Sequence, residues 1–229
     1  MPDIDDRERV LELLEEAERR KILSDREYRI NTIYKILNSD GECIPFRRNF
    51  VQRDFNRNRH GFDLVLKARQ HGFTTDICID FLDDALFTPN LRVAHIAHTK
   101  EDVGRIFNDK VKFAYDHLPQ WVKDMNPAEN NSRYELSFKN GSHIRVGMSF
   151  RSGTIQRLHI SEYGKICAKY PEKAREVRTG ALNTVHRGQK IIIESTAEGR
   201  DGHFYQLCQS GMSNQNSGRR LPFLSLVAV

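Results

Sequence analysis

Residues 62–75 read Phe62-Asp63-Leu64-Val65-Leu66-Lys67-Ala68-Arg69-Gln70-His71-Gly72-Phe73-Thr74-Thr75. A short apolar run passes into a polar turn containing one glycine, and apolar residues then recur four apart at Ile77, Phe81 and Ala85. The pattern is a strand, a turn and a helix in succession. Such turns present backbone N–H groups at the positive end of a helix, where anions bind. Gly72 lets the backbone approach an anion closely. Thr74 stands two residues after the glycine, where a P-loop (Walker A) places its Mg²⁺-binding hydroxyl. The pattern GxxxxGK[ST] itself is not met: position 67 is Lys rather than Gly, and position 73 is Phe rather than Lys. A plain strand–turn–helix junction with surface basic residues fits the same letters.

Downstream, the alternation continues. Leu91 to Ala97 reads as a strand, residues 100–118 as a helix, and Leu158-His159-Ile160 as a short strand ending in Ser161-Glu162. A helix is expected over 171–184, then a buried strand Lys190-Ile191-Ile192-Ile193-Glu194 ending in Ser195-Thr196-Ala197. Asn140-Gly141, between alternating runs at Tyr134, Leu136, Phe138 and Ile144, Val146, Met148, predicts a hairpin with a type I′ turn. Strands alternating with helices imply a mostly parallel sheet with helices on both faces. Ligands on such sheets sit at the carboxyl ends of strands. Three strand ends carry polar residues: the turn after Leu66, Ser161-Glu162 and Ser195-Thr196. The strand ending in Glu162 is expected to lie beside the phosphate loop.

Upstream, Val10, Leu13, Leu14 and Ala17 predict an exposed helix over 5–23. Ser24-Asp25-Arg26-Glu27 is a capping-box pattern, and Ile30, Ile33, Tyr34 and Leu37 share one face of a second helix ending near Asn38-Ser39-Asp40-Gly41. Residues 1–44 thus read as a helical appendage with a solvated charge mixture.

The chain of 229 residues suits one domain plus such an appendage. Its 36 Lys and Arg against 31 Asp and Glu give 36 − 31 = +5, and 38% hydrophobic residues can fill a core. No apolar run approaches the ~20 residues of a membrane span, and the acidic start, Met1-Pro2-Asp3-Ile4-Asp5-Asp6, lacks the apolar core of a signal peptide. Membrane, secreted and fibrous classes are therefore not expected. A pI near 9.0 permits a polyanion partner. The cluster Arg47, Arg48, Arg53, Arg57 and Arg59 suits DNA phosphates or a solvated face equally. Cys43, Cys78, Cys167 and Cys208 form no CxxC motif and are expected to be reduced and scattered. His95 and His98, the closest histidine pair, read as polar residues at a strand's edge. Asp76, Asp80, Asp83 and Asp84 read as a solvent-facing stripe on the helix after the loop.

Taken in order and spacing, four segments resemble the ATPase domain of tailed-phage terminase large subunits. They are Gln52-Arg53-Asp54-Phe55, the run from Leu66 to Thr75, Leu158-His159-Ile160-Ser161-Glu162-Tyr163-Gly164-Lys165, and Ile193-Glu194-Ser195-Thr196-Ala197-Glu198-Gly199. The resemblance covers roughly residues 45–207, and it implies an α/β P-loop NTPase of the additional-strand type that binds ATP and Mg²⁺. That family's phosphate loop has its Lys or Arg moved to the loop's start, so Lys67 takes the role Phe73 cannot. By position, residues 67–75 (Lys67, Ala68, Arg69, Gln70, His71, Gly72, Phe73, Thr74 and Thr75) bind nucleotide, and Gln52 matches the adenine-reading glutamine. Arg69 matches a loop arginine acting near the γ-phosphate, Glu162 the catalytic carboxylate, and Ser195-Thr196 the coupling motif. Thr74 is the Mg²⁺ ligand, aided through water by Ser161, which stands where the family commonly has Asp. Arg151-Ser152-Gly153-Thr154 is expected at the rim of the site.

The same resemblance implies packaging of double-stranded DNA into a procapsid. The partners implied are a portal protein and a small terminase subunit, with a homo-oligomeric ring formed in the cytoplasm of a bacterial host. Residues 208–229 read as a polar linker and a short apolar tail, with no Asp or Glu from Leu207 onward, so DNA cleavage by this chain is not expected. Two other readings stay open: a helicase-like P-loop translocase, and a non-catalytic DNA- or portal-binding module with a degenerate nucleotide site.

Overall fold

The computed structural model describes residues 4–69, 71–150, 154–180, 189–214 and 223–227. An eight-stranded sheet runs through the centre in the order β10-β3-β9-β8-β4-β7-β6-β5. The strands are β3 (Phe62–Lys67), β4 (Arg92–Ile96), β5 (Ala128–Ser132), β6 (Glu135–Phe138), β7 (His143–Gly147), β8 (Arg157–Ser161), β9 (Lys190–Ser195) and β10 (Phe223–Val227). Pairings from β10 through β7 are parallel, while β5 and β6 are antiparallel. This is the mostly parallel sheet expected.

One strand order differs from expectation. The strand ending in Glu162, β8, does not adjoin β3, the strand that leads into the turn at Lys67; β9 is inserted between β3 and β8. The reason is visible in β9, whose Ile191, Ile192 and Ile193 are buried on both faces and therefore demand a central position.

Strand alternation divides the core in two. Val65, Val93, Ile144 and Ile192 face helix α4 (Phe73–Phe87), which contributes Ile77, Phe81 and Ala85. Leu64, Ile96, Leu158, Ile160 and Ile193 face the opposite layer of α8 (Tyr163–Lys169), α9 (Pro171–Thr179) and α10 (Gly202–Asn214), represented by Tyr163, Ile166, Val177 and Phe204. The helix expected over 100–118 is one continuous run, Lys100–Arg105, a π-helical segment Ile106–Lys112, and Phe113–Asp116.

Several local expectations are corrected. The second N-terminal helix, α2 (Arg26–Ile33), is capped by Asp25 rather than Ser24 and ends at Ile33. Tyr34 turns extended, and Leu37 lies in β1 (Lys35–Leu37), paired with β2 (Cys43–Pro45). Asn38 explains the reversal: its carboxamide oxygen accepts the N–H groups of Asp40 and Glu42, building a turn in place of a helix end. The Asn140-Gly141 hairpin is present, but not as a type I′ turn. Phe138 N–H bonds Ser142 O across a three-residue loop, and only Gly141 of the pair has positive φ. The polar stretch expected as linker begins inside α10, which runs to Asn214, and the apolar tail forms β10 beside β3.

The acidic stripe on α4 is also corrected. Asp76, Asp80, Asp83 and Asp84 are all buried. Arg48 binds Asp76 and Asp80 at 2.7 Å each, Arg59 binds Asp80 at 2.7 Å, and Arg26 binds Asp80 at 2.8 Å. Arg29 binds Asp83 at 2.8 Å, and Asp84 meets Arg157 and Lys190. Burial alone would raise the Asp80 carboxyl, but Arg59, Arg26 and Arg48 outweigh it and hold it well below the ordinary carboxylate range. Arg48 and Arg59 are thereby withdrawn from any nucleic-acid face; Arg47, Arg53 and Arg57 remain exposed. The same network fastens α2 to α4.

Candidate active site

Five groups meet at the carboxyl ends of β3, β9 and β8, on the α4 side of the sheet. Lys67 ends β3, and its Nζ lies 2.8 Å from Glu194 Oε2 and 3.5 Å from Glu162 Oε1. Thr74, in the first turn of α4, donates its hydroxyl to Glu194 Oε1 at 2.7 Å. Ser161, ending β8, donates to the same oxygen at 2.8 Å. Register accounts for this gathering. Glu194 pairs with Val65 on one side and with Ser161 on the other, so its carboxylate is flanked by the loop strand and the Glu162 strand.

Glu194 is the functional-looking residue that sequence reasoning missed. It is fully buried. Burial alone would raise its carboxyl, but the His159 ring and the Lys67 ammonium outweigh it and hold it well below the ordinary range. Burial would conversely lower Lys67, but Glu194 and then Glu162 raise it. Both groups are therefore charged at neutral pH. The signal was available: a carboxylate directly after three isoleucines of a buried strand requires a partner.

Glu162 occupies the turn between β8 and α8 with φ 53 and ψ 44, the left-handed region. For a residue with a Cβ this conformation costs about 1–3 kcal/mol and is concentrated at functional sites. Its Oε2 lies 2.9 Å from Lys165 Nζ and accepts from the Thr196 hydroxyl at 3.3 Å. Ser195 Oγ accepts the Gly164 N–H at 3.0 Å, and a Cβ on Gly164 would fall 2.8 Å from that oxygen. The Ser195-Thr196 pair is thus in direct contact with both Glu162 and the helix that Glu162 starts.

The remaining loop residues divide into anchors and free groups. Gly72 precedes α4 with φ 67, and a Cβ there would meet Gln52 Nε2 at 2.9 Å, so glycine is required twice over. Gln52, on α3 (Phe50–Arg57), accepts the Asn49 N–H at 3.0 Å and donates to His71 O at 3.0 Å. It fastens the loop while retaining one N–H and one lone pair. Phe73 is buried edge-on against Phe55, with ring centroids 5.5 Å apart. Thr75 accepts from Lys110 Nζ at 2.9 Å, and Ala68 and Arg69 are exposed. Gln70 and Arg151–Gly153 lie outside the described residues.

His95 is fully buried rather than at a strand's edge, and its partner is His159, not His98. His98 instead pairs with Asp102 at 2.7 Å. The four cysteines are free.

The fold has counterparts among solved structures. The bacteriophage HK97 large terminase superposes on 88% of this chain with a TM-score of 0.62 and 16% identity, and the chain spans 43% of that protein. The large-terminase ATPase domain of Thermus phage P74-26 matches 79% of the chain, with 80% of the domain covered, a TM-score of 0.56 and 16% identity. The large terminase of the thermophilic bacteriophage D6E matches 80% of the chain and 45% of its own length, with a TM-score of 0.53 and 10% identity. This chain has the fold of a phage large-terminase ATPase domain. No protein-family model matches the sequence, and no curated protein matches it. Within the terminase ATPase fold, the Lys67, Glu194 and Glu162 cluster lies where parallel α/β sheets bind ligands. No described helix is long and apolar enough to cross a membrane.

Proposed function

We propose that this chain binds ATP with Mg²⁺ and hydrolyses it to drive double-stranded DNA into a procapsid, as the ATPase portion of a large terminase. The observation that supports this best is the convergence of Lys67, Thr74, Ser161, Glu162 and Glu194 at three neighbouring strand ends. Lys67 and the free N–H groups opening α4 bind the β- and γ-phosphates. Arg69, exposed at the loop, reaches the γ-phosphate of its own or a neighbouring subunit as charge develops there. Gln52 offers its remaining N–H and lone pair to adenine.

Oxygen donors suit Mg²⁺, and the Thr74 hydroxyl, the Ser161 hydroxyl and Glu194 Oε1 form an oxygen cluster of 2.7 and 2.8 Å contacts. Glu194 in this reading supplies the negative charge that Ser161 lacks. Mg²⁺, when bound, neutralises charge on the phosphate oxygens. Glu162 accepts a hydrogen bond from the attacking water and aligns it opposite the leaving ADP oxygen. The Thr196 hydroxyl donates to Glu162 Oε2 at 3.3 Å, so a turn of that carboxylate toward the water is felt at Thr196. This supports Ser195-Thr196 as the coupling element. Residues 45–207 carry the nucleotide site, with 1–44 packed onto it through α2 and β10 added to its sheet, and the working state is a ring of copies at a portal, served by a small terminase subunit.

The test is phosphate release by the purified chain with and without Mg²⁺ and with and without double-stranded DNA. Slow, Mg²⁺-dependent hydrolysis by the free chain is expected. No hydrolysis under any of these conditions would favour a non-catalytic binding module, and fast turnover by a dilute monomer would contradict the need for a ring.

A further inference from the structure

Three buried heteroatoms converge deeper in the sheet, beneath the strand ends. His95 on β4 and His159 on β8 are register partners across a parallel ladder, so both rings project toward α4. Cys78, in the second turn of α4, reaches the same point. All three residues are fully buried. His95 Nδ1 lies 3.0 Å from His159 Nδ1 and 3.9 Å from Cys78 Sγ, and one ligand atom from each residue lies within 4.8 Å of the others.

As a purely protein cluster this arrangement is poorly satisfied. The Nδ1···Nδ1 contact uses one proton, so one ring must donate and the other accept. Both Nε2 atoms are buried without a hydrogen-bond partner among the described residues. If His159 carries its proton on Nδ1, its bare Nε2 faces the Glu194 carboxylate oxygen at 3.4 Å, two acceptors together. If His95 donates instead, its own Nε2 becomes a buried bare acceptor. A cation at the focus removes the conflict at the two Nδ1 atoms and at Glu194, and leaves the His95 Nε2–H without a partner among the described residues. Both Nδ1 lone pairs and the sulfur then point inward, both Nε2 atoms carry protons, and the His159 Nε2–H faces Glu194. That is the outer carboxylate by which metal-bound imidazoles are commonly oriented.

Spacing agrees with a specific class of ion. Tetrahedral zinc, with bonds of about 2.0 Å to nitrogen and about 2.3 Å to sulfur, places its ligand atoms about 3.3–3.6 Å apart. The 3.0 and 3.9 Å separations bracket that range. Imidazole and thiolate donors select zinc-like ions over Mg²⁺ or Ca²⁺, which take oxygen. The geometry points to a buried site for a zinc-class divalent cation, held by Cys78 Sγ, His95 Nδ1 and His159 Nδ1, with Glu194 orienting His159. Three protein ligands leave one position for a small ligand such as water. The site is distinct from the oxygen cluster proposed for Mg²⁺ and does not depend on nucleotide binding, but Glu194 belongs to the surroundings of both.

The experiment uses the untagged full chain. Elemental analysis after dialysis should find about one zinc per chain. Cobalt(II) added to the chelator-stripped chain should give a thiolate-to-cobalt charge-transfer band with the visible bands of a tetrahedral site. Cys78→Ser should abolish the charge-transfer band and weaken cobalt binding by at least about tenfold. A core substitution can unfold the chain, so a second variant keeps Cys78 and removes the other thiols: Cys43→Ala, Cys167→Ala and Cys208→Ala together. It should retain the band at full strength. Two results would overturn the proposal: less than about a tenth of a metal per folded wild-type chain with no cobalt band, or a band that disappears with the other three thiols.

Discussion

Replacing Glu194 by Gln removes one charge from the centre of the site and leaves its volume unchanged. Lys67, with a side chain 8% exposed, then keeps, among the described residues, only Glu162 at 3.5 Å as a charged partner. Breaking one half of a buried ion pair costs about 3–5 kcal/mol. The surviving Glu162 contact places this case at the lower end, about 3 kcal/mol. For a chain of this size each kcal/mol moves the melting temperature by about 2–4 °C, so a fall of about 6–12 °C is expected. The pH dependence follows from the direction of the shift. Glu194 is held below its ordinary value in the folded chain, so its contribution is fully present above the unfolded carboxylate range. It is lost only as the pH falls through the lower folded value. The gap between wild type and Glu194→Gln should therefore stay constant from pH 8 to about pH 5 and close only in stronger acid. Thermal and urea unfolding across that range make the measurement. A variant melting within about 2 °C of wild type at pH 7 would refute the claim that Glu194 is the charged partner of a buried lysine.

Other expectations follow from neighbouring contacts. Lys67→Ala should weaken binding of a labelled ATP analogue by at least about tenfold, a charge-assisted phosphate contact being worth ~1.5–3 kcal/mol; unchanged affinity would remove Lys67 from the phosphate site. Asp80→Asn takes the charge from a carboxylate facing Arg26, Arg48 and Arg59, and should destabilise the fold by about 3–5 kcal/mol in urea unfolding. Gly164→Ala should slow hydrolysis more than it lowers nucleotide affinity, because its Cβ would press on Ser195 Oγ at 2.8 Å and Thr196 O at 3.1 Å; equal loss of both, measured by binding and turnover, would count against a coupling role.

The regular part of the fold was legible because periodicity is local. Leu64 and Val65 announce β3, Ile77, Phe81 and Ala85 announce α4, and Ile191 to Ile193 announce β9. Alternation of these elements suffices for a parallel sheet. What escaped were features decided by distant partners. Asp80 and Asp84 look like a helix's wet face until Arg48, Arg59, Arg26 and Arg157 arrive from other segments. The hairpin turn at Asn140 was read from two letters, but its side chain bonds the carbonyl of Ala85 and the N–H of Ser142, and that fixes a longer loop. At the site, Lys67, Thr74 and Glu162 could be named from their strand ends. Glu194, after three buried isoleucines, announced that it needs a partner but not which one, and His159 announced nothing, because their partners depend on which strands adjoin.

The central claim, that this cluster hydrolyses ATP, is tested most directly by single-turnover hydrolysis with Glu162→Gln. The substitution removes the carboxylate's charge and keeps its shape beside Lys67, Lys165 and Thr196. With ATP binding measured in parallel, the expected result is affinity within a few-fold of wild type and a hydrolysis rate lower by about 10²–10⁴. Hydrolysis by Glu162→Gln at the wild-type rate would contradict it.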